Sequence, residues 1–83
     1  MTSELSQNDF YSTSDLALAT VLSLYYPIEA IDKSDPKRAS FYFKRDENLD
    51  NLLEQYWRKE LKIEPQSFFQ QLRIVKARLY NEE

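Results

Sequence analysis

The sequence predicts a small two-layer α+β domain, with helices packed on one face of a short antiparallel sheet. Three observations carry that prediction. The stretch "STSDLALATVLSLYYP" has helical apolar periodicity; "PIEAID" and "ASFYFKR" are short strand-like runs either side of the turn sequence "KSDPKR"; and two later stretches return to helical periodicity. The 83 residues leave room for one domain. A domain of that size buries only about 60% of the surface its unfolded chain exposes, so its core must be compact. Twelve aromatic side chains are available to build it.

Residues 1–9 are polar and are expected to be a disordered tail, since they offer little burial against the entropy of ordering. The domain is assigned to residues 10–83. From Phe10 a short extended piece leads to the first helix, with Ser14 placed as its N-cap, Asp15 at the positive end of the dipole and Pro27 as its stop. At about 100° per residue Ala17, Leu18, Val21, Leu22, Leu24 and Tyr25 fall on one broad face, and Thr20 and Ser23 are left outside. Pro36 after Asp35 suits the second position of a type I turn, so the two strand-like runs form a hairpin with a loop of roughly four to six residues. Alternation places Phe41 and Phe43 on the core face and Ser40, Tyr42 and Lys44 on the other. In "DENLDNLLEQYWRKEL" acids precede bases, as a helix dipole prefers, and either Asp46 or Asn48 can cap it. Leu49, Leu52, Leu53 and Tyr56 form its apolar stripe, with Trp57 at the edge. The last helix starts on Pro65 and runs to about Tyr80. Phe68, Leu72, Val75 and Leu79 share its inner stripe; Phe69, Arg73, Lys76 and Tyr80 share the adjacent one. The expected order is therefore helix, hairpin, helix, helix.

Composition removes whole classes of function. The chain has no Cys, hence no disulfide framework and no thiolate metal site; it has no Gly, hence no P-loop or dinucleotide fingerprint. No stretch approaches the roughly 18 apolar residues of a membrane span, and the N-terminus lacks the cationic and apolar parts of a signal peptide, so a cytoplasmic location is expected. The net charge of −3 is unevenly placed: residues 1–32 carry five acids and no base, whereas residues 33–83 carry eleven bases and nine acids.

The run "FYSTSDLALATVL", the hairpin "IDKSDPKRASFYF", the "YW" pair and the terminal "LRIVKARLY" together resemble a small prokaryotic and phage family known only as a domain of unknown function. The marked residues are Ser14, Asp15, Leu18, Ala19, Phe41, Phe43, Tyr56, Trp57, Lys76 and Tyr80, over roughly residues 10–80. The resemblance brings no activity. It implies a phage or mobile-element setting, in which a small adaptor, inhibitor or DNA-associated protein is expected ahead of a metabolic enzyme.

Catalysis lacks its usual parts, since there is neither His nor Cys. Asp46, Glu47 and Asp50 beside Lys44 resemble an oxygen-ligand set for a divalent cation, but a first helical turn wants the same acids and their spacing matches no calcium loop. The capping role ranks well above a metal-dependent enzyme, and neither catalytic residue nor cofactor is assigned.

Lys33, Lys37, Arg38, Lys44 and Arg45 surround the hairpin. With Tyr42 on the outer face they offer the mixture of cations and stacking that single-stranded nucleic acid favours. "KRASFYF" echoes the aromatic strand of an RNA-recognition motif, but the glycines and the four strands that motif requires are missing. Arg73 and Lys76 add cations on the last helix, with Arg78 round the side. The plainer explanation is that a chain with 30% charged residues solvates its helix faces with Lys and Arg. Some of Tyr26, Tyr42, Trp57, Phe69 and Tyr80 are expected to stay partly exposed, as interface aromatics do; for Trp57, core and interface stay open equally.

The sequence thus points to a non-catalytic interaction module or adaptor docking through the basic hairpin and C-terminal helix. Its expected partner is a protein or a second copy of the chain, with no membrane and no small-molecule substrate. Direct DNA or RNA binding is the alternative. Candidate contacts are Lys37, Arg38, Tyr42, Lys44, Arg45, Trp57, Arg73, Lys76 and Tyr80.

Overall fold

The computed structural model describes residues 9–81. The expectation placed on residues 1–9 lies, Asp9 apart, outside the described residues. Asp9 sits in a turn, and its carbonyl accepts a hydrogen bond from Arg45 N at 2.9 Å. In chain order the elements are β1 (Phe10–Thr13), α1 (Leu16–Ser23), β2 (Ala30–Asp32), β3 (Ser40–Lys44), α2 (Glu47–Trp57) and α3 (Pro65–Asn81). This is the α+β domain the pattern predicts, with one strand more than the hairpin supplies: the extended piece at Phe10 pairs into the sheet.

The strand order is β1-β3-β2, and both pairings are antiparallel. β1 and β2 consequently run parallel to each other on either side of β3, a relation a tight turn cannot make. The segment containing α1 supplies the crossover. Tyr11 stands opposite Phe43, and Phe41 lies between Thr13 and Ile31. Those side chains form the inner face. Phe41 and Phe43 are fully buried with Leu18, Ala19, Leu22, Leu49, Leu53 and Val75, so all three helices contribute to one core against one face of the sheet.

The helix ends follow local chemistry, with corrections to the first helix. Asp15, not Ser14, caps α1: its carboxylate accepts from the N–H groups of Ala17 and Leu18 at 3.0 and 3.3 Å. The Ser14 hydroxyl instead meets that of Ser40 at 3.2 Å, tying the end of β1 to β3. α1 also stops at Ser23, four residues before Pro27, and Ala17 and Tyr25 are exposed. Thr20, expected outside, is completely buried. It can be, because its hydroxyl donates to Leu16 O at 2.8 Å and so takes no unpaired polar atom inside. Ser23 Oγ accepts from Gln71 Nε2 at 3.0 Å, linking α1 to α3. The hairpin loop runs over residues 33–39, longer than expected, although Arg38 N bonds Asp35 O as a turn at Pro36 requires.

Asp46 caps α2, accepting from Leu49 N at 2.8 Å; Glu64 caps α3, accepting from Gln66 N and Ser67 N at 3.1 and 2.8 Å. The other end of α2 is a Schellman motif: Lys59 N bonds Tyr56 O and Glu60 N bonds Gln55 O. Lys59 occupies the left-handed position, at φ 62°, that glycine usually fills. Lys59→Gly is expected to relieve about 1 kcal/mol of backbone strain, partly offset by glycine's greater unfolded-state entropy. The net result is a thermal midpoint raised by roughly 2–4 °C, measurable by circular dichroism. A fall would show that Lys59 is unstrained there.

Candidate interaction surfaces

The carboxylates at the start of α2 are engaged in structure. Asp46 Oδ1 accepts both from Leu49 N and from the Tyr26 hydroxyl, each at 2.8 Å, and Asp50 pairs with Arg45 Nε at 3.0 Å. The N–H of Leu49 first, and the Tyr26 hydroxyl second, hold the Asp46 carboxyl below its ordinary pKa. Among the described residues no group of three metal-ligating acids converges.

The nine candidate contacts separate into three places. The first is the hairpin loop against the end of α3. Lys37, Arg38 and Tyr80 line one concavity of about 310 Å³, whose floor includes Ala39 and Leu79. Asp32 at the end of β2 and Asp35 in the loop bond the loop's backbone: Asp32 Oδ1 accepts from Ser34 N and Asp35 Oδ1 from Lys37 N, both at 2.9 Å. Lys37 and Arg38 are exposed. Tyr80 is 73% exposed beside them. Along α3 the spacing of Phe69, Arg73, Lys76 and Tyr80 continues one face away from the loop, and all four are exposed. Between Pro65 and Asn81 there are three bases and no acid.

The second place is the outer face of the sheet. Tyr42, half-buried, lies between Ser12 and Ala30 on the neighbouring strands, and Lys44 pairs with Phe10 at the far end of β3. At about 3.3 Å per residue, Ser40 and Lys44 lie roughly 13 Å apart. Lys44 and Arg45 therefore do not join Lys37 and Arg38, and Arg45 is committed to Asp50.

Trp57 belongs to neither. It is 62% exposed and packs edge-on to Tyr56 with ring centroids 5.0 Å apart. The two rings form one wall of an open groove of about 560 Å³, closed by Val21 of α1, Phe68 of α3, and Leu61, Ile63 and Lys59 of the connection between α2 and α3. Sequence reasoning missed this groove. Leu61 and Ile63 alternate in a connection whose fold no periodicity reveals, and the usable signal was a helix end with no Gly to close it.

No helix among the described residues is long and apolar enough to cross a membrane. The model of the family described as "Domain of unknown function (DUF5659)" matches residues 8–81. No curated protein and no solved structure matches the chain significantly. The chain belongs to the DUF5659 family.

Proposed function

We propose that this member of the DUF5659 family is a non-catalytic interaction module, acting in the cytoplasm in a phage or mobile-element setting. It docks on a macromolecular partner through the surface where the hairpin loop meets the end of α3. The observation that carries this reading is the shared concavity of Lys37, Arg38 and Tyr80, residues about forty positions apart in sequence and continuous with the cationic face of α3. An exposed Tyr beside an exposed Arg is a pairing enriched at protein interfaces. The absence of His and Cys, and the engagement of Asp46 and Asp50 in structural bonds, support a non-catalytic role. A protein partner is the first reading. Direct DNA or RNA binding is the second, favoured by the lack of any acid along α3.

Affinity capture from native lysate, with and without nuclease, separates the two. A protein that stays bound after nuclease and is lost from the Lys37→Glu, Arg38→Glu double variant is the result expected of the first. Binding to a labelled oligonucleotide that falls steeply with salt and is lost in the same variant establishes the second. Capture and oligonucleotide binding that both ignore the double variant would remove this surface from the function.

A further inference from the structure

We infer that the Trp57 groove is a second docking site, separate from the basic surface, and that it takes a segment of a partner protein bearing an apolar side chain flanked by carboxylates. The chemistry of the walls selects the apolar side chain. Tyr56, Trp57, Phe68, Leu61 and Ile63 present aromatic and aliphatic surface to an open groove, and the Trp57 ring remains mostly exposed although it is the sole Trp of the chain. Desolvating that ring against a partner is the kind of contact in which interface energy concentrates.

Charge selects the flanking carboxylates. Lys59 is the one ionisable lysine or arginine lining the groove, and no acid lines it. Lys59 also occupies the left-handed helix-terminating position, where a glycine would close α2 with less strain. A cation there also suits the negative end of the α2 dipole. Lys59 lines the groove beside its aromatic wall, so a carboxylate on the occupant gains a cationic partner there. Backbone strain maintained beside a concave surface is an arrangement found at ligand-binding sites.

The basic surface takes no part in this site, so the two can be tested apart. The probe is an array of synthetic peptides of about 12 residues, one half with Leu, Ile or Phe flanked by Asp and Glu, the other half with the same apolar residues flanked by Lys and Arg. Hits are titrated in solution while Trp57 emission is followed. The expected result is capture confined to the acid-flanked half, with saturable blue-shifting of the emission as the ring leaves water. Lys59→Glu is expected to weaken those hits about tenfold or more. Lys59→Gly serves as the folding control: it should be at least as thermostable as the parent and yet lose the preference for acid-flanked peptides. Equal capture of both halves, no capture from either, or affinity indifferent to both variants would overturn the proposal. So would a blue shift that develops with protein concentration alone and accompanies a dimer in sedimentation, because a second copy would then be the occupant.

Discussion

Phe43→Ala is expected to destabilise the domain by about 3–5 kcal/mol, whereas Tyr42→Ala, one position earlier, should cost about 1 kcal/mol or less. The difference follows from pleat and register. Phe43 is fully buried on the inner face of the central strand, opposite Tyr11, and packs with Leu18, Leu22, Leu49 and Val75 in the common core. Truncation there removes transfer free energy and leaves a cavity in the shared core. A domain of this length has roughly 4–12 kcal/mol of stability in total, so the loss leaves the variant marginal or unfolded at 25 °C. Tyr42 faces the other way and is only half-buried. Urea unfolding of the two variants measures both values. Comparable costs would mean that β3 does not hold this register.

Asp46→Ala is expected to lower the thermal midpoint by roughly 5 °C. One carboxylate oxygen serves two elements: it caps α2 through Leu49 N and receives the Tyr26 hydroxyl from the segment after α1. Asp46→Asn keeps an acceptor for the cap and should lose clearly less. The pH dependence has a definite sign on each side. The Asp46 carboxyl is held below its ordinary pKa, so its stabilisation is complete above the unfolded value near about 4 and is lost as pH falls through the lower folded value. The Glu64 cap behaves in the same way, because the N–H groups of Gln66 and Ser67 depress its carboxyl. Tyr26 is shifted upward, by desolvation first and then by its bond to Asp46, so its share is present below the unfolded value near about 10 and is lost as pH rises through the higher folded one. The difference in midpoint between parent and Asp46→Ala should therefore be flat from about pH 5 to about pH 9 and narrow at both ends. A difference that persists unchanged at pH 2 would show that the carboxylate charge contributes nothing to the cap.

Elements whose signals are local were legible in the sequence. Alternation in "SFYFK" and the Pro36 turn place β3 and the sidedness of Phe41, Tyr42 and Phe43; Asp46 or Asn48 marks the start of α2, with Asp46 the cap in the structure, and Pro65 marks the start of α3. α1 is less legible, because a run of apolar and small residues leaves its buried face broad. Leu18 to Leu22 are buried without a break, and only the Thr20 bond to Leu16 O makes that run tolerable. In sequence β1 is no more than an extended lead-in, because a four-residue strand is recognisable only once it has a partner. The nine candidate contacts were chosen for charge and aromaticity, and those properties do not say which of them are neighbours. Lys37, Arg38 and Tyr80 share a concavity, Arg45 is paired with Asp50, and Trp57 stands at a groove of its own.

By itself the sequence determined the class of fold, the chemistry excluded by having no His, Cys or Gly, and the inward direction of Phe41 and Phe43. Each depends on residue type or on spacing within a few positions. Only the tertiary structure decided that β1 joins the far side of β3, that Thr20 is interior, that the end of α3 meets the hairpin loop, and that Val21, Trp57 and Phe68 border one groove. These are relations between segments distant in the chain. They are set by how three helices share one sheet face, a competition for burial that no single segment records.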